Sequence, residues 1–149
     1  MLFKKKEKPA PDLLQKKNII LNCKGEAKED VIRKIGGMLV DSGYVKESYV
    51  DAMLEREKTF ATYMGNGIAL PHGVESGKAS VICSGIAIML FPEGTEWSGE
   101  TAKIVIGIAG KGDEHLDILS NVAIKLGEDG AVDEFLKMNV DEIYNYLSA

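Results

Sequence analysis

Apolar residues change their spacing several times along this chain, and each change marks an element. Residues 27–42 carry Val31, Ile35, Met38 and Leu39 at the three- and four-residue spacing of a helix face, with Gly43 placed to end it. A second helix over 47–58 aligns Val50, Met53, Leu54 and Glu57 on one stripe and puts Arg56 near its end. Ile19-Ile20-Leu21 predicts a short strand ahead of these helices. Thr62-Tyr63 and Ile68-Ala69-Leu70 predict two more extended pieces, separated by a Gly65-Asn66-Gly67 turn. Residues 81–91 are apolar almost throughout, the pattern of a strand buried on both faces, and Pro92-Glu93-Gly94 reads as its end. A polar loop containing Trp97 leads to another buried strand over 103–109. After the Gly110-Lys111-Gly112 turn, residues 114–126 form a helix whose core stripe is Leu116, Leu119, Val122, Ala123 and Leu126. Gly127-Glu128-Asp129-Gly130 breaks it, and two short helices over 131–137 and 141–147 close the chain, the last with Asp141 as N-cap. The pattern is mixed α/β, with helices on both sides of a small sheet.

At 149 residues the chain fits one domain with a single core. The formal net charge is −5, but residues 1–17 carry six lysines against Glu7 and Asp12, a net of +4 that leaves −9 on the rest. A body that acidic argues against nucleic acid as a partner, because such binding rests on basic groups that neutralise phosphates; it suits a basic protein. Residues 1–12, with Lys4-Lys5-Lys6-Glu7-Lys8-Pro9-Ala10-Pro11, read as a solvated flexible tail, the alternative being weak attraction to an anionic membrane surface. Cys23 and Cys83 are single and far apart, so they offer neither a disulfide framework nor a paired metal or redox motif. No stretch has the length of a membrane span or the make-up of a secretion signal, and a reducing cytoplasm is the simplest compartment.

The chemistry gathers around the only two histidines. His72 follows a predicted strand and is flanked by Pro71, which stiffens its approach, and Gly73, whose lack of a side chain lets backbone N–H groups come close to an anion. His115 falls in the first turn of the helix that starts after Asp113, where the helix dipole favours an anion and a neutral ring could donate one N–H. A neutral imidazole is a nucleophile near pH 7, and a phosphorylated one carries close to two negative charges that a cation would steady. Of the two arginines, Arg33 lies among Glu29, Asp30 and Lys34 on a solvated face, which leaves Arg56, sixteen residues before His72, as the candidate. No zinc-ligand spacing, GxSxG elbow or GxxxxGK[ST] loop is present, so a transferred phosphoryl group would come from another protein.

The stretch Gly65-Asn66-Gly67-Ile68-Ala69-Leu70-Pro71-His72-Gly73, preceded by Tyr49-Val50-Asp51-Ala52-Met53-Leu54-Glu55-Arg56-Glu57, resembles the A component (EIIA) of the mannitol/fructose class of the sugar phosphotransferase system. Val105-Ile106-Gly107-Ile108-Ala109 with Glu114-His115-Leu116 resembles the second histidine segment of the same family. The likeness starts near residue 18, leaves the lysine tail outside, and is greatest to the mannitol branch. It implies a mixed parallel and antiparallel sheet flanked by helices, within a domain spanning 13–149. It also implies that His72 accepts a phosphoryl group from HPr and passes it to the cysteine of the EIIB component of a membrane sugar permease. In that scheme His115 supports the phosphoryl group, Arg56 supplies charge and Asn66 orients its loop, with no metal or organic cofactor. The alternative is a regulatory EIIA-like module, of nitrogen or fructose type, whose phosphorylation state controls binding to a regulator.

Overall fold

Alternate residues of the two longest strands point to opposite faces of one sheet, and both faces are apolar. A computed structural model describes residues 11–73 and 79–148, so most of the lysine-rich tail expected over 1–12 lies outside the described residues. The elements run β1 (Ile19–Ile20), α1 (Lys28–Asp41), α2 (Ser48–Thr59), β2 (Tyr63–Gly65), β3 (Ile68–Ala69), β4 (Gly85–Trp97), β5 (Glu100–Ala109), α3 (Glu114–Leu126), α4 (Ala131–Leu136) and α5 (Val140–Ser148). The five strands lie in the order β1-β4-β5-β3-β2. The central pair β4 and β5 is antiparallel; β1 joins β4 and β3 joins β5 in parallel, and β2 closes the far edge antiparallel to β3.

On one face Ala87, Met89, Phe91, Val105 and Ala109 meet Val31, Ile32, Ile35 and Leu39 of α1 and Tyr49 and Met53 of α2. On the other, Ile86, Ile88, Leu90, Ile104, Ile106 and Ile108 meet Ile118, Val122 and Leu126 of α3, Phe135 of α4 and Ile143 of α5. This period of two, with both sides covered, is why the strands read as continuous apolar runs. Each large side chain so buried is worth roughly 1.5–3 kcal/mol. Helix α1 stops where Gly43 was expected to stop it: with φ +80°, Gly43 donates to the Val40 carbonyl at 3.0 Å and Tyr44 to the Leu39 carbonyl at 3.1 Å, the paired bonds of a Schellman ending.

Three expectations are corrected. Strand β4 begins at Gly85 and does not end at Pro92-Glu93-Gly94; it continues to Trp97. The register between β4 and β5 shifts between Leu90 and Thr95, so Pro92 sits in a bulge where its missing N–H costs no ladder bond. The hairpin then closes through Ser98 and Gly99, both at positive φ, as a two-residue turn requires. In α3, Leu116 is 56% exposed, and the buried line is Ile118, Val122 and Leu126. Helix α5 starts at Val140, and its cap is Asn139 in place of Asp141. Asn139 Oδ1 accepts from the Glu142 N–H at 2.8 Å while Glu142 Oε1 accepts from the Asn139 N–H at 3.2 Å, a reciprocal capping box. Asp141, freed from that role, pairs with Lys16 at 3.0 Å.

Candidate functional site

The C-terminal end of β5 organises the site. Beyond β3 the chain stays beside it: Ile108 N–H donates to the Pro71 carbonyl at 3.0 Å, and His72 forms a parallel bridge with Ile108. Leu70 is fixed in turn by its N–H, which donates to the Thr62 carbonyl at 3.0 Å. His72 Nδ1 lies 2.7 Å from the Leu70 carbonyl oxygen. A carbonyl only accepts, so Nδ1 carries the proton and Nε2 keeps the lone pair. Burial of the half-buried ring lowers its pKa from the ordinary 6.5; the Leu70 bond raises it, the charges of Arg56 and His115 lower it further, and Glu57 raises it. The balance is a neutral imidazole at neutral pH, with a defined tautomer.

Gly73 serves a different purpose from the one its sequence context suggested. Its N–H is not turned toward an anion but donates to Tyr49 Oη at 2.9 Å, and the Tyr49 hydroxyl donates to the Ile108 carbonyl at 2.8 Å. A Cβ at residue 73 would lie 2.6 Å from the Tyr49 ring, so the glycine is needed for that approach.

His115 reaches the same strand end from the other side. A Cβ on Gly110, the residue after β5, would fall 2.2 Å from His115 Cβ, so the chain folds back on itself within five residues only because residue 110 is glycine. Ser84 ties this turn down, accepting from the Lys111 N–H at 2.9 Å and donating to the Glu114 carboxylate. His115 Nδ1 sits 3.2 Å from the Gly112 carbonyl oxygen, in the first turn of α3, as its position after Asp113 predicts.

Arg56, in the last turn of α2, donates from Nη1 to the Phe60 carbonyl at 2.7 Å, and its charge reaches His72. The neighbouring Glu57 is buried, with its carboxylate accepting from Thr62 N–H at 2.9 Å, Thr62 Oγ1 at 2.7 Å and Trp97 Nε1 at 2.8 Å. Lys28 Nζ stands 3.8 Å away. That network locks the end of α2 to the segment leading into β2, so the Arg56 backbone is held by several bonds while its long side chain rests on the Phe60 carbonyl. Arg33 is paired with Asp30 on an exposed face, as expected. Asn66 is not brought to the histidines. It turns the chain between β2 and β3 at φ +53° and borders Glu128, Asp129 and Asp133. The register sets Ile68 opposite Ile104 and His72 opposite Ile108, so Asn66 lies beyond the far end of a strand path of about 13 Å. Burial raises the thiol pKa of both Cys23 and Cys83 and leaves neither as a ready thiolate. Among the described residues no three His, Cys, Asp or Glu side chains are grouped to hold a metal ion, and no helix is long and apolar enough to cross a membrane.

Tyr49 and Glu57 are the residues whose part in the site the sequence did not announce. A tyrosine four residues before Met53 on a buried stripe was the available signal, because a buried phenol nearly always finds a partner for its hydroxyl.

Known proteins resemble this chain in sequence and in fold. Residues 12–149 match the family described as phosphoenolpyruvate-dependent sugar phosphotransferase system, EIIA 2. The chain is 49% identical over 131 residues to the mannitol-specific phosphotransferase enzyme IIA component of Bacillus subtilis (strain 168), covering 87% of this chain and 92% of that one. It is 46% identical over 126 residues to the protein of that description from Staphylococcus aureus (strain MRSA252), covering 85% and 88%. Its fold superposes with a TM-score of 0.83 at 37% identity on a chain from the Escherichia coli complex of enzyme IIA and phosphorylated enzyme IIB of the mannitol system, covering 91% and 99%.

Proposed function

The chain belongs to the EIIA 2 family of the phosphoenolpyruvate-dependent sugar phosphotransferase system, and from that premise we propose that it is a phosphohistidine carrier acting through His72. The donor is HPr, the acceptor is the cysteine of an EIIB component, and the sugar served is mannitol. The observation that carries this reading is the bond from His72 Nδ1 to the Leu70 carbonyl. It commits one ring nitrogen to the backbone and leaves Nε2 as the nucleophile.

In the transfer, Nε2 attacks phosphorus in line, its N–P bond forms as the donor's N–P bond breaks, and the bonding pair returns to the donor imidazole. The second transfer repeats this with a cysteine thiolate as attacking group and His72 as leaving group. Arg56 offers a five-donor guanidinium of which one donor holds Phe60, and its remaining N–H groups suit phosphoryl oxygens. His115 approaches from the opposite side of the β5 end; with its Nδ1–H facing the Gly112 carbonyl, Nε2 donates to a phosphoryl oxygen only when the ring carries both protons. Two exposed apolar side chains flank these groups, Phe60 at 71% and Leu116 at 56% exposure, a composition suited to docking a protein partner. Asn66 serves as the turn residue that sets β2 beside β3.

The test is incubation of the purified chain with phosphoenolpyruvate, the general phosphotransferase enzyme and HPr, followed by intact-mass analysis. One acid-labile phosphoryl group, absent from His72→Ala, is expected. Labelling of the variant overturns the assignment to His72, and an unlabelled wild type overturns the carrier reading. Adding the EIIB component then separates transport from sensing, because only a carrier empties onto the EIIB cysteine.

A further inference from the structure

Tyr49 is buried at 4% exposure, and its single oxygen takes part in two hydrogen bonds. A parallel pairing of His72 with Ile108 requires one rung on either side of His72: Ile108 N–H to the Pro71 carbonyl, and Gly73 N–H to the Ile108 carbonyl. The first rung is made directly, at 3.0 Å. The second passes through the phenol, which accepts from Gly73 at 2.9 Å and donates to Ile108 at 2.8 Å. Two bonds in series stand where one would close the ladder. The Tyr49 oxygen is therefore bonded to both the Gly73 N–H and the Ile108 carbonyl immediately after His72. Burial raises the Tyr49 pKa above the ordinary 10.0, against the lowering effect of the Gly73 bond, so the hydroxyl stays protonated and keeps its role as donor. The ring and the hydroxyl do separate work: the ring packs with Met53 in the core, and only the hydroxyl builds the rung.

We propose that Tyr49 is a positioning residue for His72: its hydroxyl sets the gap between residue 73 and β5, and so the direction in which His72 Nε2 meets the incoming phosphoryl group. This rests on the carrier reading of His72. Without the hydroxyl, the Gly73 N–H either closes onto Ile108 or loses its partner, and each outcome moves the backbone that carries the imidazole.

Tyr49→Phe keeps the ring and removes the rung. With phosphorylated HPr as donor, the variant is expected to accept phosphoryl groups about tenfold more slowly per folded molecule at saturating donor, with an unchanged KM for HPr. Gly73 amide hydrogen exchange should be faster and the His72 ring nitrogen resonances displaced. Met53→Ala, which thins the same core without touching the rung, should lose stability while keeping its rate per folded molecule. A wild-type rate in folded Tyr49→Phe overturns the proposal, as does an equal loss of rate in Met53→Ala. Should the wild type take no phosphoryl group at all, the carrier reading has failed. The Gly73 exchange and His72 resonances then decide alone: a change in Tyr49→Phe supports the positioning, and no change overturns it.

Discussion

The two histidines are held in opposite ways at the same strand end. Residues 70–73 are fastened to their surroundings by backbone bonds to Thr62 and Ile108, by the ring's own bond to Leu70 and by the Tyr49 bridge. The His115 turn depends on a close approach at Gly110, a Ser84 tether and one longer ring contact at 3.2 Å to Gly112. A nucleophile gains from a fixed direction, because near-attack geometry is worth several orders of magnitude in rate. A group that must serve the phosphoryl group as it arrives and again as it leaves gains from a looser hold. Arg56 shares the second design, with a fixed backbone and a side chain resting on one carbonyl.

Removing the charge of the loosely held cation tests this contrast most severely. Arg56→Gln should slow phosphoryl acceptance about 100-fold, the usual cost of losing one preorganised donor to developing charge, while circular dichroism stays native. His115→Ala should slow transfer onward to EIIB about tenfold, roughly 1.4 kcal/mol of barrier. If that variant instead lowers the melting temperature and leaves the transfer rate alone, the looser histidine is structural. Glu57→Gln leaves the buried Trp97 and Thr62 donors, and the Lys28 ammonium 3.8 Å away, facing a neutral amide. It should cost about 1–3 kcal/mol in denaturant unfolding and reach transfer through Arg56 and through the lost charge facing His72.

The smallest effect sharpens the contrast in protonation. The His72 pKa lies below 6.5, so the unfolded chain binds that proton more readily than the folded one. Above 6.5 both forms are neutral and the full contribution to stability is present; it is lost as pH falls from there through the folded value. An NMR titration should place the His72 midpoint below 6.5, and phosphoryl acceptance should hold its plateau down to that midpoint. A midpoint at or above the ordinary value would remove burial as the agent that keeps the nucleophile neutral.

Local signals were legible in the sequence and long-range ones were not. The bounds of α3 and the ending of α1 at Gly43 follow from spacing and from a glycine's tolerance of positive φ, both properties of a few adjacent residues. Strand β4 was cut short because proline and glycine normally end a strand; here they occupy a bulge that exists only in register with β5. Asn139 and Glu142 displayed a capping-box spacing that an acidic residue two positions later obscured. The motif around His72 pointed to that residue as the candidate nucleophile, yet the Tyr49 rung depends on where α2 crosses the end of β5, which no local pattern encodes. Asn66 shares a nine-residue stretch with His72 and stands apart from it because a strand separates them.

The sheet is bounded by its shortest strands apart from β3, two residues in β1 and three in β2. So little unpaired backbone at either margin gives a passing polypeptide almost nothing to zip onto. On the proposed carrier reading, in which one partner is met and released before another, association then rests on side chains and charge. Encounters of that kind are brief and reversible, and turnover between two partners depends on release as much as on capture.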